Sequence, residues 1–191
     1  EFRRVLFRST AIGGSAFYNC TALTEIEIPS SVTKIGEDAF KNCSNLEKLT
    51  LNEGLKTIGA NSFQSTKISS VNIPSTLTAV NMPSYDDHGP FTGCKSLKNV
   101  TFDDKTTKII DYLFDGCSGL EITTIPDTIT NIGNSAFYKC TALTEIEIPS
   151  SVTNIGCDAF YYCSNLEKLT LNEGLKTIGA NSFQGTKISS V

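Results

Sequence analysis

Short runs in which apolar and polar residues alternate recur along this chain at a nearly constant interval. In the first, Leu23-Thr24-Glu25-Ile26-Glu27-Ile28, the spacing predicts a strand with one buried and one exposed side. Pro29 ends its hydrogen bonding, Ser30 and Ser31 turn the chain, and Val32–Ile35 forms a second extended piece. Gly36 is expected to permit a tight or left-handed turn. Asp38–Cys43 then reads as a single short helical or 3₁₀ turn before Leu46 opens the next strand. The strand pattern returns as Leu46-Leu49-Leu51, Ile68-Val71-Ile73, Leu97-Val100-Phe102, Leu143-Ile146-Ile148 and Leu166-Leu169-Leu171. At Leu120-Thr123-Ile125 the middle position is polar, so this strand is expected to be the least regular.

The interval is 23 residues. Ile-Gly pairs stand at 12–13, 35–36, 58–59, 132–133, 155–156 and 178–179. Phenylalanine recurs at 17, 40, 63, 91, 114, 137, 160 and 183. A fixed period of this length is the mark of a solenoid. A lone coil buries too few side chains to offset the entropy of ordering it, so coils must stack. The prediction is a β-rich superhelix of about eight coils, with a parallel sheet, short helical or 3₁₀ turns and a Phe ladder inside. One step is longer: six extra residues precede Phe91, and Asn81–Pro90 reads as an inserted surface loop.

A larger repeat overlies the small one. Residues 14–71 and 134–191 align at an offset of 120 and differ at seven positions, 14/134, 19/139, 34/154, 37/157, 41/161, 42/162 and 65/185. The chain stops in mid-strand at Val191, and further repeats are expected beyond it. Residues 1–9, EFRRVLFRS, do not fit the repeat, resemble the translation of a sequencing adapter, and are expected to be non-native. The solenoid is then a single domain over residues 10–191, truncated at its C-terminus, with the insertion at 81–90.

The charge balance narrows the function. Arg3, Arg4 and Arg8 are the only arginines, so residues 10–191 carry 13 lysines and no arginine and are mildly acidic. Such a surface argues against nucleic-acid or anionic-membrane partners. No apolar run reaches the ~20 residues that would span a bilayer.

The unit L-x-x-I-x-I-P-x-x-V-x-x-I-G-x-x-A-F-x-x-C resembles the BspA-type leucine-rich repeat, also called the Treponema type, over essentially residues 10–191. Coils depart from it at Thr66, Asn81, Ile110 and Thr186. The resemblance implies a right-handed leucine-rich-repeat solenoid on a surface or secreted protein of host-associated bacteria or protists. It also implies adhesion and binding of host proteins, with no cofactor.

Six cysteines, at 20, 43, 94, 117, 140 and 163, sit three residues after ladder phenylalanines and form one column. Stacking points their Cβ atoms alike, which disfavours disulfides, and a linear column cannot close on zinc. They read as small buried thiols, with Cys157 as an exposed outlier. The single histidine, His88, neighbours Asp86 and Asp87, but no nucleophile with an activating partner and no phosphate loop adjoins it, so no catalytic residue and no metal site are assigned.

Candidate partner contacts are therefore the outward strand positions and the departures from the unit. On the strands they are Glu25, Glu27, Lys48, Glu145, Glu147 and Lys168; elsewhere they are Tyr85, Asp86 and Asp87 in the insertion, and Tyr161 and Tyr162, which replace Lys41 and Asn42. Two readings follow: a non-catalytic protein-binding module of an extracellular or cell-surface adhesin, or a passive spacer that carries other domains.

Overall fold

The computed structural model describes residues 8–82, 84 and 88–190. Two columns of parallel strands run along it. The four-residue strands are β2 (Glu25–Ile28), β4 (Lys48–Leu51), β6 (Ser70–Ile73), β8 (Asn99–Phe102), β11 (Glu145–Ile148) and β13 (Lys168–Leu171). The two- and three-residue strands are β1 (Ala11–Ile12), β3 (Lys34–Ile35), β5 (Thr57–Gly59), β7 (Ala79–Asn81), β9 (Lys108–Ile109), β10 (Asn131–Ile132), β12 (Asn154–Ile155) and β14 (Thr177–Ile178). With the pass at 120–125 they make about seven turns.

The repeat fixes the register. Ile12, Ile35, Ile58 and Val80 align across β1-β3-β5-β7, and Ile109, Ile132, Ile155 and Ile178 across β9-β10-β12-β14. The longer strands pair as β2-β4, β6-β8 and β11-β13. Their ladder lapses where the sequence departs from the unit. The connection from Phe63 to Ile68 is one residue shorter than that from Phe40 to Leu46, and β4 and β6 are not paired. At 120–125, a single bridge from Thr124 to Glu147 replaces a strand.

The expected helical turn is not formed, and no helix occurs among the described residues. Amides there alternate between two duties. Those of Ser15, Phe17 and Asn19 donate to Glu37, Ala39 and Lys41 of the next coil (2.8, 2.7 and 2.8 Å). Those of Ala16, Tyr18 and Cys20 donate back to Gly13, Ser15 and Phe17. A helix would turn every amide inward and leave the neighbouring coil's carbonyls unpaired. The alternation needs left-handed residues, found at Ser15 and Asn19, Asp38 and Asn42, Ser135 and Lys139, and Asp158 and Tyr162.

The left-handed conformation therefore does not fall on the glycine of the Ile-Gly pair, as Gly36 was expected to show. That glycine is required by close approach instead: a Cβ on Gly59 would lie 2.4 Å from the Glu37 nitrogen of the preceding coil.

Inside, the eight phenylalanines form one stack. Centroid separations are 4.9–5.6 Å except between Phe91 and Phe114, where they open to 6.3 Å at 24°. Phe102 packs edge-on to Phe114 beside that gap. The rings from Phe40 to Phe160 are fully buried.

Candidate functional site

All seven cysteines are free thiols; five are buried, Cys20 is half-buried and Cys157 is exposed. The column is more than apolar filling. Sγ of Cys43, Cys94, Cys140 and Cys163 donates to the carbonyl of the ladder Phe one coil back, at 3.0–3.1 Å. The carbonyls of Phe17, Phe114 and Phe137 also accept the amide of their own coil's cysteine; Phe17 O, for example, takes Cys20 N and Cys43 Sγ. Burial pushes the Cys117 and Cys140 thiols well up and the Cys163 thiol to about 12. They are unreactive at neutral pH. Thr66, in the same column, bonds Phe63 O of its own coil and meets Cys94 Sγ at 3.3 Å. No cluster of three or more His, Cys, Asp or Glu positioned for a metal occurs among the described residues.

The strand candidates all project outward. Glu25, Glu27, Lys48, Glu145, Glu147 and Lys168 are exposed on the long-strand column. Several are held by neighbours: Lys168 Nζ reaches Glu145 Oε2 at 3.3 Å, Asn52 donates to Glu27 and Asn172 to Glu147, both at 3.1 Å. Where the strand lapses, Thr123, Thr124, Glu145, Glu147, Lys168 and Thr170 line a cleft of about 110 Å³. Among the described residues, the outward positions of this face carry no aromatic side chain.

Tyr85, Asp86 and Asp87 lie outside the described residues. The end of their loop is anchored at a residue that sequence reasoning missed, Asp115. His88 Nδ1 and Gly89 N both approach Asp115 Oδ2, at 3.4 and 3.2 Å. Thr92 Oγ1 bridges the Gly89 and Asp115 carbonyls. Asp115 is buried, and its Oδ1 has no hydrogen-bond partner among the described residues. Burial raises its pKa, against the lowering influence of His88, the Gly89 amide and Lys139. The signal available in the sequence was a carboxylate directly after a ladder Phe.

Tyr161 and Tyr162 are brought together, with Tyr138 as a third ring. Tyr138 and Tyr161 stack at 5.2 Å and 10°; Tyr161 and Tyr162 meet at 4.6 Å and 75°. Lys139 Nζ sits 5.0 Å from the Tyr138 centroid. Tyr162 is 47% exposed. Gly185 lies against its ring, where a Cβ would come within 2.9 Å of Cδ1.

The remaining differences between the two blocks share a second place. Asn134, Asn154 and Cys157, with Gly133 and Gly156, line an open groove of about 350 Å³ along β9, β10, β12 and β14. Short side chains here replace Lys34 and Glu37 of the first block. Asp111 accepts from the Asn134 amide and side chain, and Asn134 Oδ1 accepts from Cys157 N. None of the seven changed positions in the second block is buried.

The architecture is that of a parallel β-solenoid built from leucine-rich-repeat coils. A profile of the BspA type leucine-rich repeat region, in six copies, matches residues 10–88 and 87–191. The chain belongs to that family. Among curated proteins no sequence relative matches. Solved structures do. A leucine-rich repeat protein from Eubacterium ventriosum is 25% identical with a TM-score of 0.66, over 88% of this chain and 44% of that one. A leucine-rich cell surface protein from Faecalibacterium prausnitzii is 29% identical with a TM-score of 0.56, over 85% and 51%. The leucine-rich repeat protein of Treponema pallidum, 24% identical with a TM-score of 0.55 over 92% and 69%, shares the fold. The chain thus spans about half the length of the first and second of these.

Proposed function

We propose that this chain is a non-catalytic, protein-binding repeat module of a cell-surface or extracellular protein. The observation that carries the reading is where the two blocks differ. Every buried column is repeated unchanged, while the seven replacements fall on two surface patches. A module with one constant frame and a locally altered surface is suited to recognition. The cell-surface description of the Faecalibacterium neighbour supports the location. Tyrosine, with tryptophan and arginine, is enriched among the anchors of protein interfaces, and the second block has gained two tyrosines. Glu25, Glu27, Lys48, Glu145, Glu147 and Lys168 offer a broad polar face of their own, and Tyr85, Asp86 and Asp87 a further contact in the insertion. The partner is a protein, host extracellular or cell-surface in kind, and no cofactor takes part.

The near-identity of the blocks favours one alternative, a passive spacer that needs length and no unique surface. Surface plasmon resonance of the chain against purified host extracellular proteins separates the two. Saturable binding of one of them supports the module; no binding across the set leaves the spacer.

A further inference from the structure

We propose that the partner docks on one strip, from the end of the insertion to the second-block tyrosines, and that it presents acidic side chains beside an apolar surface. The inference rests on the protein-binding reading above and names the surface that performs it.

The described end of the insertion and the second-block tyrosines, far apart in sequence, are linked through consecutive coils. His88 and Gly89 close over Asp115. Asp115 and Tyr138 each follow a ladder Phe and occupy equivalent places in adjacent coils, which are tied by Phe114 N to Ala136 O and Gly116 N to Tyr138 O. Lys139 is near enough to Asp115 to act on its titration. Tyr161 stacks on Tyr138, and Tyr162 meets Tyr161 edge-on. The surface strip therefore runs from His88 past Lys139 and Tyr138 to Tyr161 and Tyr162, with the buried Asp115 linking His88 to the coil that carries Lys139.

The ridge is built as a unit. In the first block the equivalent places hold Asn42 and Ser65, with Asn42 donating to Tyr18 Oη and Lys41 paired to Asp38. In the second block Tyr162 takes the place of Asn42, and its ring fills the space that the Ser65→Gly185 replacement vacates. Three changes, at 161, 162 and 185, thus produce one packed feature. Tyrosines that hold one another lose little side-chain freedom on binding, which favours affinity.

Charge selects the partner. The exposed cation on the ridge is Lys139, and His88, half exposed, adds a second when protonated. Asp115 is buried and Asp158 is only partly exposed. A partner surface with carboxylates next to apolar groups meets both the cations and the rings. The long-strand face lacks aromatic anchors, and its Glu145–Lys168 pair is already satisfied internally.

The test is selection of a phage-displayed random peptide library on the whole 191-residue chain, with three variants as counter-targets. The first, Tyr161→Lys/Tyr162→Asn/Gly185→Ser, restores residues that the same fold already holds in its first block. The second, Lys139→Glu, reverses one exposed charge. The third, Glu145→Ala/Glu147→Ala/Lys168→Ala, alters the strand face. Enriched peptides are expected to pair acidic with apolar residues. They should bind the first two variants about tenfold or more weakly than the parent, and the third equally well. Peptides sensitive only to the third variant would overturn the strip and leave the binding module on another face. Peptides indifferent to all three would also overturn the strip. No enrichment at all would count against both the strip and the binding module.

Discussion

Gly36 and Gly14 meet across adjacent coils: a Cβ built on Gly36 would lie 2.4 Å from the Gly14 backbone nitrogen. The same relation joins Gly179 to Cys157. Gly13, in the first coil of the column, has nothing within 4 Å of such a Cβ. None of the three has a positive φ, so the constraint is space. Gly36→Ala is expected to lower the unfolding free energy by about 2–3 kcal/mol, and Gly13→Ala by less than about 0.5 kcal/mol. Urea midpoints measure both, and equal losses would show that coil approach does not select the glycine.

The cysteine column predicts a graded reactivity. In the native protein at neutral pH, Cys157 should react with a maleimide first and Cys20 more slowly, while Cys43, Cys94, Cys117, Cys140 and Cys163 stay protected. Unfolding without reductant should expose all seven thiols. A count of five or fewer would mean that disulfides form. Cys140→Ala, which removes a thiol-to-carbonyl bond inside the core, should cost about 1–2 kcal/mol.

Asp115 gives the fold a pH dependence of defined sign. Its carboxyl, raised by burial in the folded state, has an ordinary value of 3.8 when unfolded. The folded chain keeps the proton over a window in which the unfolded chain has lost it. Stability from this group is therefore full below the unfolded value and declines as pH rises through the folded one. Asp115→Asn should flatten that decline. Urea unfolding of both proteins from about pH 3 to 7 should show the variant gaining on the parent as pH rises. A difference that moves toward the parent would mean that His88 and the Gly89 amide outweigh burial.

Tyr162 and Gly185 should be energetically coupled. Gly185→Ser alone places a Cβ against the Tyr162 ring and is expected to cost about 1–2 kcal/mol. In a Tyr162→Asn background the same change recreates the Asn42/Ser65 pair, and its cost should fall by about 1 kcal/mol. Additive effects in the double-mutant cycle would argue that the two replacements arose without reference to each other.

Most of the architecture was legible because each apolar column repeats. Ile12, Ile35 and Ile58 announce a ladder by spacing alone, and the Phe and Cys columns follow from the same count. The turn was misread for a physical reason. Residues 38–43 have the length and composition of a helical turn, but their amides must also serve a neighbouring coil, a demand invisible within one unit. The role of Gly36 was misassigned likewise, since its constraint lies 22 residues back, in Gly14. Tyr161 and Tyr162 stood out by comparing the blocks. Their ring contacts with Tyr138 and the accommodation by Gly185 did not, because Tyr138 is unchanged from Tyr18 and Ser65→Gly looks conservative. Asp115 was missed because its partners His88 and Gly89 belong to another coil.

The central claim is that recognition resides where the second block departs from the first. The most direct measurement is the dissociation constant of a host extracellular partner, identified by surface plasmon resonance, for the parent chain and for Tyr161→Lys/Tyr162→Asn/Gly185→Ser at equal stability. The account predicts a loss of about tenfold or more in the variant, with thermal unfolding unchanged. Unaltered affinity would contradict it.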